Sequence, residues 1–216
     1  MKSYILLPNL QSRTLPAAFR GNDVRYSEAL VAAFMQEFTS PGDVVLDPFA
    51  GFGTTMLVAE SMGRLAYGIE YDIERVRYAR SLLQSPDNMI HGDALELASY
   101  HLPACDFSIT SPPFMRRGDT EDPLTAYSTT GDGYDAYLQG LQRVYTQLAY
   151  LMKPNSHAVI EAANLKGPDG VTTLAWDIAG VVGQVLSFNT EVVIGWDEPY
   201  GYGYDHSYCL VFTKQG

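Results

Sequence analysis

Apolar positions along this 216-residue chain follow two alternating rhythms. Short, mostly apolar runs at 44–46, 65–69, 88–90, 106–110, 157–162, 192–194 and 208–212 predict strands, because a strand buried on both faces reads as a continuous apolar run. Between them, apolar residues recur every three or four positions and predict helices. The first starts at the candidate N-cap Ser27, carries Leu30, Val31, Phe34 and Phe38 on one face, and stops at Pro41-Gly42. A second covers 54–62, with Met56, Val58, Ala59 and Met62 apolar and Gly63 as its end. A third starts at Asp72 and carries Val76, Ala79, Leu82 and Leu83. The longest, 134–152, aligns Tyr137, Leu141, Val144, Tyr145, Leu148 and Leu151 and ends at Lys153-Pro154-Asn155. Ile178, Ala179, Val182, Val185 and Leu186 mark the last. Strands alternating with helices predict an α/β fold with helices on both faces of a mostly parallel, seven-stranded sheet. No helix separates the final two strands, so they should pair as an antiparallel hairpin.

Two segments break the rhythm. Residues 1–25 mix Pro8, Asn9, Pro16, Gly21 and Asn22 with few periodic apolars, which predicts an extended lead-in with little regular structure, a candidate flap. Residues 115–133 are polar and rich in Gly, Asp and Thr. A loop of that length in a compact domain predicts a mobile, functional lid.

The polar residues at the expected strand ends carry the chemistry. Val44-Val45-Leu46 runs into Asp47-Pro48-Phe49-Ala50-Gly51-Phe52-Gly53-Thr54-Thr55, an acid and a glycine-rich turn before a helix. That is the layout of a nucleoside-binding turn, since glycine lets backbone approach a ligand closely. A dinucleotide fingerprint would need a third glycine where Met56 stands, and the Gly-Lys-Ser/Thr of a P-loop is absent. Glu70 ends the second strand about 20 residues past the first glycine, where an acid meets ribose hydroxyls in nucleoside-binding units. Asp93 follows the third strand. It is placed to accept an adenine amino group or, equally, to bond its own backbone in a turn. Ser111 follows the fourth. Ligands of open α/β sheets sit outside the carboxyl ends of the strands, and Asp47, Glu70, Asp93 and Ser111 all fall there.

Ser111-Pro112-Pro113-Phe114 fits one reaction type. The lone pair of a base amino group is delocalised into the ring, so the amine becomes nucleophilic only when acceptors hold its protons and favour a pyramidal nitrogen. The Ser111 hydroxyl and the Pro112 carbonyl are two such acceptors, and paired prolines fix the backbone that presents them. Phe114 offers a flat apolar face for stacking an extruded base.

These stretches resemble the S-adenosylmethionine-dependent amino-methyltransferases, enzymes that methylate exocyclic nitrogens of nucleic-acid bases. The segment from Asp47 to Thr55 is similar to that family's cofactor motif. Thr110-Ser111-Pro112-Pro113-Phe114 is similar to its catalytic motif in the serine form associated with cytosine-N4 methylation, where adenine-N6 enzymes more often carry Asp or Asn. Similarity continues through Gly68-Ile69-Glu70, Gly92-Asp93-Ala94, Leu151-Met152-Lys153-Pro154 and 206–212, covering roughly 25–214. The resemblance implies a Rossmann-like class I methyltransferase fold over 1–216 as a single domain, and S-adenosyl-L-methionine as cofactor. It implies cofactor binding by Asp47, Phe49, Gly51, Gly53, Thr54, Thr55, Glu70, Tyr71, Asp93 and Ala94, and catalysis by Ser111, Pro112, Pro113 and Phe114. Nucleic acid is the implied substrate, DNA ahead of RNA. Two alternatives accompany it: an RNA enzyme similar to the tRNA guanine-N2 methyltransferases, and an inactive cofactor-binding scaffold for a catalytic partner. Nothing in the chain is large enough for the separate target-recognition domain of the DNA-modifying members.

Composition narrows the expected partner. The chain has 14 Lys and Arg against 25 Asp and Glu, a net charge of −11. A grip on duplex DNA rests largely on neutralised phosphates, so this balance predicts a single-stranded substrate or one delivered by a partner protein, with Arg116 and Arg117 as local cations. No apolar run approaches about 18 residues, and the apolar start breaks at Pro8, too short for a signal peptide, so neither a membrane span nor secretion is expected. The expected location is cytoplasmic. Cys105 and Cys209 read as reduced core thiols, and the four histidines show no metal-ligand spacing.

Overall fold

The computed structural model describes residues 2–9, 11–22, 25–125, 133–167, 170–198 and 204–216. Its centre is an eight-stranded sheet. The strands, in chain order, are β1 (Tyr4–Leu7), β2 (Val44–Asp47), β3 (Leu65–Glu70), β4 (Met89–His91), β5 (Cys105–Thr110), β6 (Met152–Ala162), β9 (Ser187–Trp196) and β10 (His206–Thr213). They lie in the spatial order β4-β3-β2-β5-β6-β10-β9-β1. β10 is antiparallel to both neighbours and the other pairings are parallel. The order reverses at β2, which leads to β3 on one side and neighbours β5 on the other, so the ligand crevice belongs at the carboxyl end of β2. A separate hairpin, β7 (Leu165–Gly167) with β8 (Gly170–Thr172), follows β6.

The helices divide between the two faces, as alternating strands and helices require. On one face, α1 (Glu28–Phe38), α2 (Thr54–Ser61) and α3 (Ile73–Arg80) bury Leu30, Phe34, Met56 and Val76 against Val45, Phe107 and Val192. On the other, α4 (Gly133–Leu151) and α5 (Leu174–Val182) bury Tyr137, Leu141, Leu148 and Ile178 against Leu46, Ile160 and Leu210. Local signals set the helix ends. Ser27 caps α1 by accepting from the Ala29 amide, and Asp72 caps α3 by accepting from Glu74 and Arg75. The last helix starts earlier than its periodicity suggests: Leu174 and Ala175 are buried in its first turn, and Gly183 caps it before Val185 and Leu186. Among the described residues, no helix is long and apolar enough to cross a membrane.

The seven expected strands are present, and the eighth corrects the reading of the lead-in. Tyr4–Leu7 pairs in parallel with Val193–Trp196 at the sheet edge. Ile5 and Leu7 face the core, while Tyr4 and Leu6 cover Gly195, where an added Cβ would lie within 2.5 Å of the Tyr4 hydroxyl and 2.7 Å of Leu6. Four residues give two alternations, too few to show as a period. Described residues further along the lead-in are also tied down. The Ser27 hydroxyl donates to the Pro8 carbonyl (2.8 Å) and the Gln11 amide nitrogen to the Tyr26 carbonyl (2.6 Å). A 3₁₀ turn at Ala17–Asn22 sets Phe19 edge-on to Phe52 of the glycine turn, with ring centres 5.2 Å apart. The described residues of this segment form a strap over the glycine turn.

The expected lid is likewise anchored where it is described. Met115 and Leu124 are buried, and a 3₁₀ turn spans Pro123–Thr125. Residues 126–132, the remainder of that expectation, lie outside the described residues.

Gly68 lies mid-strand in β3 where the glycine turn crosses it. An added Cβ would sit 2.7 Å from the Ala50 side chain, 2.6 Å from the Met56 sulfur and 3.3 Å from the Met89 sulfur. Gly68→Ala should therefore cost about 1–3 kcal/mol as overpacking, read as a lowered urea midpoint with unchanged slope. An unchanged midpoint would show that this crossing is loose.

Candidate active site

The site begins below its surface, with a buried acid. Asp47 ends β2 at 1% exposure, and its two oxygens accept from the Phe49 amide (2.9 Å) and the Thr55 hydroxyl (2.5 Å). One carboxylate thus fixes the entry of the glycine turn and the first turn of α2. Thr55 gives its hydrogen to Asp47, so the short hydrogen bond between Thr55 and Tyr26 is donated by the Tyr26 hydroxyl. Burial pushes the Asp47 carboxyl up to about 6 and the Tyr26 phenol well above its usual value.

The turn itself is held from β3. The Gly51 amide donates to Glu70 Oε2 (2.9 Å), the Asp72 amide to Glu70 Oε1 (2.8 Å), and the Ala50 amide to the Ile69 carbonyl (2.8 Å). Two glycines act differently here. Gly53 has φ +84° and faces Ala79 of α3, whose Cβ would be 3.0 Å from a Cβ on residue 53; Gly51, at φ +53°, has open space beside it. Burial raises the Glu70 carboxyl as well, despite its amide donors. Asp93 bonds its own turn, accepting from the Leu95 amide (2.8 Å), so the turn alternative is realised at one of its oxygens.

Above this layer opens a cavity of about 910 Å³ at the carboxyl edge of β2, β3, β4 and β5. Of the residues picked from the sequence, Phe49, Gly51, Thr54, Glu70, Tyr71, Asp93, Ala94, Ser111, Pro112, Pro113 and Phe114 line it. Asp47, Gly53 and Thr55 do not; they form the supporting layer, because the bonds that shape the turn consume their polar groups or backbone space. Asn9, Arg25 and Tyr26 also line the cavity, brought there by the strap, as do Pro123 and Leu124 from the anchored start of the lid.

At the far wall, each polar group of the Ser-Pro-Pro-Phe segment has a defined direction. The Ser111 hydroxyl donates to Glu161 Oε2 at 2.7 Å. Glu161 is fully buried in β6, where the pairing of Thr110 with Ile160 sets it beside Ser111. The fully buried Tyr137 of α4 donates to the Pro113 carbonyl (2.8 Å). The Pro112 carbonyl has no partner among the described residues. Neither Glu161 nor Tyr137 was picked from the sequence. An acid inside the apolar run His157-Ala158-Val159-Ile160-Glu161-Ala162 was the available signal for Glu161, since buried acids need a partner. Tyr137 had only the look of a core residue.

Arg117 departs from its expected role as a cation waiting for phosphate. Its guanidinium bonds Asp177 (3.0 Å) and lies over the Tyr134 ring, while its backbone amide donates to Thr172 (3.2 Å). Asp177 also accepts from the Tyr134 and Thr173 hydroxyls (2.9 and 3.1 Å). Arg117 therefore anchors the segment after Phe114 to the start of α5.

The fold, an α/β layer with this strand order, is the one seen in solved structures of S-adenosylmethionine-dependent methyltransferases. A TehB-like S-adenosylmethionine-dependent methyltransferase from Corynebacterium glutamicum superposes with a TM-score of 0.57 at 16% identity, over 92% of each chain. Within that architecture, residues 11–81 match the family profile described as DNA methylase. The chain is 41% identical over 64 residues to the type II methyltransferase M.BglII of Bacillus subtilis, covering 29% of this chain and 18% of that protein. It is 38% identical over 86 residues to the DNA adenine methyltransferase YhdJ of Escherichia coli K12, covering 40% of this chain and 28% of that protein. The chain thus spans less than a third of the length of these relatives. The profile match takes in most of the strap, Asp47 to Thr55 and Glu70, and stops before Asp93 and Ser111.

The raised pKa of Asp47 has a stability consequence with a definite sign. A carboxyl at about 6 when folded and about 3.9 when unfolded leaves the folded state holding more protons between those values, so its contribution falls as pH rises through that window. Relative to Asp47→Asn, the wild type should lose about 2 kcal/mol between pH 4 and pH 7 in urea unfolding. A difference that is flat, or that grows with pH, would show that Asp47 is not desolvated.

Proposed function

We propose that this protein binds S-adenosyl-L-methionine in the cavity and transfers its methyl group to the exocyclic amino nitrogen of a nucleic-acid base, cytosine N4 in single-stranded DNA first. The cavity residues suit the cofactor. Glu70 stands at the strand end suited to a ribose diol, Asp93 keeps an oxygen beyond its turn bond, and Phe49, Ile69 and Leu95 offer apolar walls for a purine. The open space at Gly51 leaves backbone accessible to a ligand. When bound, the cofactor supplies a methyl carbon on a sulfonium sulfur that departs as a neutral thioether.

The observation that carries the reading is the direction of the Ser111 hydroxyl. Its one hydrogen goes to Glu161, so toward the cavity Ser111 presents lone pairs only. Tyr137 occupies the Pro113 carbonyl, which leaves that of Pro112 as the second acceptor. Two acceptors side by side hold the two hydrogens of an amino group and turn its lone pair out of conjugation. As the new N–C bond forms the nitrogen must lose a proton. Ser111 Oγ takes it while passing its own to the Glu161 carboxylate. Phe114 lies at the same wall, where a base can stack. The Ser111–Glu161 pair is also costly to bury and has no purpose in a scaffold that catalyses nothing.

DNA as substrate is supported by the DNA methylase profile and by the named substrate of the adenine methyltransferase relative. The net charge of −11 favours a strand already unpaired or handed over by a partner protein, because extrusion then costs least and no broad phosphate grip is needed.

Purified protein given labelled cofactor and a panel of single-stranded DNA, duplex DNA, tRNA and ribosomal RNA should label single-stranded DNA, and digestion should place the methyl on an exocyclic amino nitrogen. Label on a ring carbon, ring nitrogen or ribose oxygen would overturn the acceptor mechanism. Ser111→Ala and Glu161→Gln should each lower kcat by roughly 100-fold or more, with cofactor affinity by calorimetry within about twofold of wild type. Glu70→Ala should instead weaken cofactor binding by about 1.5–3 kcal/mol. Equal loss of cofactor binding in all three variants would place Ser111 and Glu161 in the wrong role.

A further inference from the structure

Beyond the cavity, at the same edge of the sheet, lies an aromatic ledge that the proposed chemistry does not use. β10 starts at this edge because it runs antiparallel to β6, and α5 starts there because it follows the β7–β8 hairpin. Trp176, in the first turn of α5, is 42% exposed and packs against Tyr208 of β10 with ring centres 4.9 Å apart. His206 sets its ring perpendicular to Tyr208 at 5.4 Å and near-perpendicular to Tyr204 at 5.1 Å. The ammonium group of Lys166, on β7, lies 4.0 Å over the Tyr204 ring. Asp205 bonds the other side of His206 at 3.1 Å.

This ledge is continuous with the catalytic wall. Phe114 leads through Met115 and Arg116 to Arg117, whose bonds to Thr172 and Asp177 bring that segment against the first turn of α5, where Trp176 stands. We infer that the ledge of Trp176, Tyr208, His206 and Tyr204, with Lys166 at its far end, receives the single-stranded nucleic acid flanking the base that enters the cavity. The inference rests on the proposed methyl transfer to nucleic acid and adds the path of the strand. An acidic chain cannot hold such a strand by broad charge neutralisation, and stacking is the sequence-tolerant alternative because every base has a π face. Trp176, the exposed ring of the row, provides a stacking surface, and the Lys166 ammonium group places positive charge at the row's far end.

The test uses an eight-nucleotide oligothymidylate, which binds through stacking but carries no exocyclic amine and so cannot be a substrate. Trp196 is 7% exposed, so quenching on titration reports Trp176. Wild-type fluorescence should be quenched to saturation. Trp176→Ala, followed by competition against a labelled oligonucleotide, should bind roughly fivefold to a hundredfold more weakly, and Lys166→Glu should weaken binding with a smaller salt dependence, both with unchanged cofactor affinity. Binding within twofold of wild type in both variants, or saturable binding without quenching, would overturn the ledge as a strand path. Absence of oligothymidylate binding by the wild type would also overturn it and leave a protein partner as the occupant. Loss of oligothymidylate binding in Trp176→Ala, in a protein that methylates nothing in the panel, would keep the ledge and defeat the methyl-transfer reading instead.

Discussion

A buried carboxylate at the end of the central strand is the constraint on which the rest of the site depends. Asp47 has been taken almost entirely out of water, and the Phe49 amide and the Thr55 hydroxyl offset that cost. Because those two donors lie on opposite sides of the glycine turn, satisfying the acid closes the turn. Because Thr55 is then a committed donor, its oxygen accepts from Tyr26 and draws the strap onto the same point. Strand end, turn, helix start and strap are joined through one acid. The cavity-lining residues Phe49, Gly51 and Thr54 take their positions from it.

The opposite wall follows the same logic with a second buried acid. Glu161 lies in an otherwise apolar strand, and its bond to Ser111 settles which way a freely rotating hydroxyl points. Tyr137 fixes the next peptide from the helix side. A serine in water offers donor and acceptor equally; here the surroundings leave it an acceptor. That polarity separates this wall from an ordinary Ser-Pro-Pro loop, and it is created by residues 24 and 50 positions away in the chain.

Charge is organised locally. The ion pair of Arg117 with Asp177 is spent on holding the segment after Phe114 to α5. At the neighbouring strand ends the side chains are mainly aromatic, with Trp176 against Tyr208 and His206 between Tyr208 and Tyr204.

The sequence by itself determined the periodic and the local. Apolar runs and helical stripes gave the seven strands and five helices, because burial on a sheet face or helix stripe imposes a period that survives in one dimension. The convergence of Glu70, Asp93 and Ser111 was legible for a related reason: parallel strands put every carboxyl end on one edge. What depended on contact between distant segments was not legible. The edge strand Tyr4–Leu7 is too short to show a period and exists because β9 offers it a partner. Asp47, Gly53 and Thr55 lie behind the cavity lining instead of in it, since sequence cannot tell which side of a turn faces a cavity. Glu161 and Tyr137 carried the ordinary appearance of a strand and a helix core. Only the tertiary structure, by setting one beside Ser111 and the other beside Pro113, decided how the Ser111 hydroxyl and the Pro113 carbonyl are held.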